Sequence, residues 1–284
     1  MRQITLEELL EAGCHFGHQV TRSNPKARDF IYEARDNIHI IDLAKTKQYL
    51  EEAGEFIKSI AQKEGSNIIV IGTKRQARGI VEEGVLRAEN EGAGKGLFHI
   101  TNRWVGGLLT NFPEVSKNFK KLKDFEENLQ SEDFKTKYTK KEIGLFTKEK
   151  DKLRSLYGGV ALIDHKPDAL FIIDSHLENL AVREATQTGV PTVGVVDTNA
   201  DPAAVDYPIP ANDDAVGSIK LIVDYVIDAW IEGRKLAKVV QETKETKGTE
   251  QTASNAAEEK KKVSKVGKVS KVSKGKNTKV KIKK

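Results

Sequence analysis

Ile68-Ile69-Val70-Ile71-Gly72-Thr73-Lys74-Arg75-Gln76 is the stretch whose reading decides the fold. Four consecutive β-branched residues leave no polar face, so a strand made of them must be covered on both sides. A helical pattern from Gln76 to Asn90 follows at once, and a second apolar run, Leu97 to Thr101, comes after it. The same alternation recurs at Ala169 to Asp174 and Thr192 to Asp197, and more weakly at Ile38 to Ile41 and Tyr207 to Pro210. Helical patterns fill Thr46 to Glu64, Leu177 to Thr188 and Asp213 to Glu232. Buried strands alternating with helices predict an α/β fold, a doubly wound parallel sheet covered on both faces.

One segment interrupts the alternation. From Phe112 to Tyr157 the chain is dense in Lys and Glu, and sparse apolar residues (Val115, Phe119, Leu122, Phe125, Leu129, then Ile143, Phe146, Leu153, Leu156) recur at helical spacing. A polar break at Gln130 to Thr139 divides it, which predicts an inserted antiparallel α-hairpin with a narrow seam, coiled-coil in character. At the N-terminus, Thr5 and Glu8 form a capping-box pattern for a short helix that Gly13 stops. Residues 14–36 lack apolar periodicity and are expected to be extended or looped. The organisation read from the sequence is a helix and loop over 1–36, a parallel α/β domain over 37–111 and 159–233, the hairpin over 112–158, and a disordered lysine-rich tail over 234–284.

With 284 residues and 38% hydrophobic content the chain can bury a sizeable core. A single cysteine, Cys14, rules out an internal disulfide and any multi-thiolate metal site. No apolar run reaches the roughly 18 residues of a membrane span, so a cytoplasmic protein is expected, without membrane contact. The net charge of +5 hides a division. Residues 260–284 hold twelve Lys and no acid, and removing them leaves −7 for the rest. Any anionic partner must therefore meet a local patch on the folded part, with the tail adding salt-sensitive attraction. The hairpin region 102–158 is one such patch, with thirteen Lys/Arg against nine Asp/Glu, although a solvated helical surface has the same composition.

Thr101-Asn102-Arg103-Trp104-Val105-Gly106-Gly107-Leu108-Leu109-Thr110-Asn111 combines a guanidinium, an indole, amides and adjacent glycines, with no nucleophile beside a base. It suits contact with a large polar partner: a fork for phosphate, a ring for stacking, and glycines for close backbone approach. The alternative is a tight turn whose Trp fills the core. Gly72-Thr73-Lys74-Arg75 sits where a strand gives way to a helix, the place open α/β sheets bind ligands. It lacks the glycine spacing of a dinucleotide or nucleoside-triphosphate loop, so Lys74 and Arg75 suit RNA phosphate or an ordinary basic turn. Cys14, His15 and His18 lie together but without a second cluster to complete a metal site. Asp174, Asp197 and Asp201 are candidates for a structural Mg or Zn ion, and Asp174 and Asp197 also for the acid/base groups of an α/β enzyme acting on a phosphorylated small molecule. Turns and caps require the same residues, and Asp213 is expected to cap the last helix. No cofactor is expected.

His15-Phe16-Gly17-His18-Gln19, Asn24-Pro25-Lys26, His39-Ile40-Ile41-Asp42-Leu43, Gly72-Thr73-Lys74, Asn102-Arg103-Trp104-Val105-Gly106-Gly107, Pro167-Asp168-Ala169-Leu170, Val195 to Asp201 and Asp206 to Ser218 occur in one order between about Thr5 and Gly233. Together they closely resemble the bacterial form of the second small-subunit ribosomal protein family. The resemblance implies a flavodoxin-like sheet with an inserted hairpin, and a structural, noncatalytic role in translation. It implies a ribonucleoprotein seat on small-subunit ribosomal RNA at the junction of head and body, beside other ribosomal proteins, where it helps dock the large mRNA-binding first protein of the subunit. Carried onto this chain, the RNA-facing positions are His15, His18, Thr21, Arg22, Asn24, Lys26, Lys74, Arg75, Asn102, Arg103, Trp104 and Asn111. Ser23 stands where the family usually has an aromatic residue, and Ala27 where it has a basic residue or methionine. A surface receptor for extracellular matrix, an activity attached to some eukaryotic relatives, finds no export signal in this sequence.

Overall fold

The computed structural model describes residues 2–239; of the tail expected to be disordered from 234, residues 234–239 instead continue the last helix, and the rest lies outside the described residues. The first helix, α1 (Leu6–Glu11), carries the capping box read from the sequence: Thr5 Oγ1 accepts the Glu8 N–H at 3.2 Å, and the Glu8 carboxylate accepts the Thr5 N–H. Gly13, at φ +76°, turns the chain away.

Residues 14–36, expected to be extended or looped, contain two short strands, and Ile38–Ile41 does not join the parallel sheet. Three short strands, β1 (Phe16–Gln19), β2 (Ile31–Arg35) and β3 (Ile38–Ile41), form a separate antiparallel sheet in the order β1-β3-β2. Four of the five residues of β2 are exposed, so the strand produces neither an apolar run nor a clean alternation. The legible signal was the turn. Asp36 and Asn37 both adopt positive φ, as a two-residue hairpin connection requires, and these residue types tolerate it best after glycine.

The rest follows the α/β alternation: α2 (Leu43–Ala61), β4 (Ile68–Ile71), α3 (Arg75–Asn90), β5 (Leu97–Ile100), α4 (Phe112–Gln130), α5 (Glu132–Lys137), α6 (Lys140–Tyr157), β6 (Ala169–Ile172), α7 (Asn179–Thr188), β7 (Thr192–Val196), β8 (Tyr207–Pro210) and a last helix, α8, over residues 216–239. The five strands β5-β4-β6-β7-β8 are all parallel. This is the flavodoxin-type order, and the chain changes direction across the sheet between β4 and β6, which opens a crevice at their carboxyl ends.

The period-two rule divides the core. Ile68, Val70 and Phe171 pack on one face with Ile57, Ile227 and Trp230, while Ile69, Ile71, Leu170 and Ile172 pack on the other with Trp104, Leu108 and Ala181. Val115, Phe119, Leu122 and Tyr157 belong to the second core, so the base of the hairpin is rooted in the sheet domain. The polar break expected between the hairpin helices contains α5, held against α6 by Phe134 and Tyr138 around Phe146. The outer strand β8 reads Tyr-Pro-Ile-Pro, and the Thr46 hydroxyl donates to Pro210 O at 2.6 Å. No helix among the described residues is long and apolar enough to cross a membrane.

Candidate nucleic-acid interface

The turn after β4 delivers Lys74 into the crevice. Its ammonium donates to Asp213 Oδ1 and Asp214 Oδ1 at 2.7 Å, lies 2.9 Å from Asp174 Oδ2, and reaches Asp213 O at 3.2 Å. Burial opposes the lysine charge, but Asp213 and the three carboxylate contacts override it and hold the pKa well above the ordinary value. Asp213 is fully buried. Desolvation, then the charges of Asp174 and Asp197, push its carboxyl up to about 7 against the pull of Lys74. His18 closes the cluster from β1, with Nδ1 3.1 Å from Asp197 Oδ2 and Nε2 3.5 Å from Asp214 Oδ2. The Asp197 hydrogen bond raises the His18 pKa against burial.

The structure thus brings His18, Lys74, Asp174 and Asp197 together, although they are far apart in sequence. Asp201 is elsewhere, bonded to Lys26 Nζ at 2.6 Å and capping the Ala203 N–H. Asp213 does not cap the last helix, which starts at residue 216; Asn212 Oδ1 takes the N–H groups of Asp214 and Ala215 instead. Among the described residues, His18, Asp213 and Asp214 present ligand atoms within 4.8 Å of one another, a group that could hold a metal ion. A phosphorylated small molecule fits poorly. Its phosphate would meet four carboxylates, and the lysine that should receive it is already spent.

The Asn102-Arg103-Trp104-Val105-Gly106-Gly107 segment is organised by a residue the sequence reading did not single out. Glu184, buried on α7, accepts from Gly107 N (2.7 Å), Leu109 N (3.1 Å), Thr110 N (3.4 Å), Thr110 Oγ1 (3.3 Å) and Trp104 Nε1 (3.3 Å). Burial raises this carboxyl, but the converging donors win and hold it below its usual range. Gly107 sits at φ +92°, where a side chain would be strained, so the backbone can fold its N–H groups around the carboxylate. Trp104 is buried and fills the core, leaving no free stacking face. Asn102, Arg103, Thr110 and Asn111 are exposed, and the Asn102 amide donates to Ser155 O at 2.7 Å. The only sequence hint of Glu184 is an acid among Ala181, Val182 and Ala185 on the inward face of α7.

Of the remaining expected contacts, Thr21, Arg22, Lys26 and Arg75 are exposed. Asn24 is half-buried; its Oδ1 accepts the Lys26 N–H, and its own N–H donates to Thr198 O at 2.7 Å. His15 is half-buried against Phe16, its pKa lowered by burial, and its Nδ1 has no partner. The small antiparallel sheet leaves Phe16, Ile38 and Tyr32 exposed, Tyr32 to 73%, and the turn after β1 exposes Val20. An apolar and aromatic surface of this kind marks a protein contact more often than an RNA one.

Comparison with known proteins agrees with this arrangement. The pattern of the family described as ribosomal protein S2 matches residues 9–233. The chain is 45% identical over 241 residues to the small ribosomal subunit protein uS2 of Roseiflexus sp. (strain RS-1), covering 84% of this chain and 88% of that one. It is 44% identical over 241 residues to the protein of the same name from Chloroflexus aggregans, covering 85% and 98%. Against that of Corynebacterium urealyticum it is 43% identical over 235 residues, covering 83% and 84%. With the family pattern spanning both halves of the parallel sheet and the hairpin between them, the chain belongs to the ribosomal protein S2 family, structural proteins of the ribosome and not enzymes.

Proposed function

We propose that this protein binds small-subunit ribosomal RNA at the junction of head and body, among neighbouring ribosomal proteins, and helps dock the large mRNA-binding first protein of that subunit. On this reading it works in the cytoplasm as part of the small subunit. The observation that carries it is the Glu184 clamp. A buried carboxylate fixes the loop from behind, so that Asn102 and Arg103 face outward from a rigid frame and meet phosphate or a base edge with little further ordering cost. Arg22 and Arg75 add exposed guanidinium groups on other elements. Support for the docking role is the exposed Phe16 and Tyr32 on the antiparallel sheet, a surface suited to aromatic packing with a protein.

The test is sedimentation of tagged protein from gently lysed cells through a sucrose gradient. Wild type migrates with small subunits, and Arg103→Ala moves toward the top as salt rises. Trp104 is unsuitable for this purpose, because its removal would empty the core. Wild-type protein at the top of a low-salt gradient would overturn the proposal.

A further inference from the structure

A cleft of about 280 Å³ opens where β5, an edge strand of the parallel sheet, meets the end of the hairpin; Glu82, His99, Thr101, Asn102, Arg154 and Ser155 line it. Its lining sets hydrogen-bond acceptors beside the apolar Ile100 and Leu156. α6 ends beside it, at the negative end of a helix, where Arg154 O accepts the Gly158 N–H and Ser155 O accepts from Asn102 Nδ2. The Thr101 hydroxyl is spent on Glu82 Oε1 at 2.9 Å, and among the described residues nothing donates to the second oxygen of that carboxylate. Burial keeps the His99 imidazole neutral against the charges of Glu82 and Glu89. Gly159 lets the turn seat on the strand, since a side chain there would meet His99 O at 2.2 Å.

The rim has the opposite character. Arg154 is 68% exposed, and its Nε lies 3.9 Å from Glu126, the outer limit of an ion pair. The same guanidinium borders a second hollow along the hairpin, lined also by Glu126, Leu129, Gln130 and Lys150. The Glu82 carboxylate beside a cationic rim does not suit a phosphate, which the carboxylate repels, nor a Lys or Arg side chain, which the rim repels. It suits a group with N–H donors at its tip and a phosphate behind.

We propose that this cleft takes one unpaired RNA base bearing an exocyclic amine (adenine, cytosine or guanine), with its phosphate on Arg154. The inference rests on the RNA-binding role proposed above and adds a base preference to it. The amine donates to the open Glu82 oxygen, whereas uracil has no amine and offers one ring N–H flanked by two carbonyl oxygens that the carboxylate repels.

The test measures fluorescence anisotropy of the full chain with labelled oligoadenylate, oligocytidylate and oligouridylate of equal length at one salt concentration. The basic tail contributes to every sequence alike, so the affinity ratio reports the cleft. The expected result is a preference of roughly tenfold for the amine-bearing sequences. Glu82→Gln levels that ratio, and Arg154→Ala weakens all three sequences alike. Equal affinities for the three in wild type would overturn the proposal.

A second measurement does not depend on these variants folding unchanged. Cys14 is fully buried, so Ser155→Cys offers one site for a tethered iron chelate in assembled subunits. Radical cleavage centred on an unpaired A, C or G supports the cleft; cleavage of a neighbouring protein with the RNA intact overturns it. Failure to sediment with small subunits would strike the broader ribosomal reading, whereas uniform affinities with sedimentation intact strike the cleft alone.

Discussion

Trp104 Nε1 donates to Glu184 Oε1 across 3.3 Å, joining the loop that leaves the second parallel strand to a helix 80 residues further on. Both groups are buried, and four further donors of the same loop converge on that carboxylate. Glu184→Gln keeps the shape but turns an NH2 group toward N–H donors. The expected loss is about 1–3 kcal/mol, read as a lower urea midpoint at unchanged slope. The outward Arg103 should lose its fixed position in the same variant, so RNA affinity should fall even at temperatures where the chain stays folded.

The same carboxylate carries a pH signature. Its folded pKa lies below the unfolded one, so its stabilisation is complete above the ordinary glutamate range and disappears as pH falls through the depressed value. Comparing stability against pH for wild type and Glu184→Gln should show a shallower acid slope in the variant.

Lys74 neutralises three carboxylates that would otherwise repel one another. Lys74→Met preserves length and removes the charge, and should cost about 3–5 kcal/mol in thermal or urea melts. Adding Asp213→Asn in the same chain removes one of the orphaned acids and should return part of the loss. Strict additivity of the two changes would argue against direct coupling.

Phe16→Ser with Tyr32→Ser changes exposed side chains, so the stability of the isolated protein should move little, within about 0.5 kcal/mol for each substitution. If the antiparallel sheet docks the large mRNA-binding protein, subunits carrying the double variant should assemble but retain less of that partner, as judged by the composition of washed small-subunit fractions.

The lysine-rich tail contributes through charge alone in this reading. Deleting 242–284 should lower the affinity for ribosomal RNA and flatten its dependence on salt, because fewer counterions are released. An unchanged slope would remove the tail from RNA binding.

The parallel sheet was legible because each of its central strands is a short apolar run, and Ile68–Ile71 must be buried on both faces whatever the partner. Of the antiparallel sheet only Ile38–Ile41 was legible as a strand, since β2, with four exposed residues, carries almost no pattern. At the crevice, residue types were visible and employment was not: Lys74 reads as a free cation until Asp174, Asp213 and Asp214 are brought to it by the strand order. Trp104 stood open between stacking and core, and its burial settles that in favour of the core. Glu184 could hardly be found, because its donors are contributed by a segment more than 70 residues earlier and leave no local trace.

The outermost strand of the parallel sheet reads Tyr207-Pro208-Ile209-Pro210, and the Ala211 N–H donates inward to Val196 O. By the two-residue alternation of a strand, the positions facing away from the sheet are the two prolines, neither of which has an N–H, and the Pro210 carbonyl is taken by Thr46. A second chain would find no row of donors with which to extend the sheet. A newly made copy is therefore protected along this edge from stacking onto its own kind, the hazard that meets any protein synthesised apart from the particle it joins.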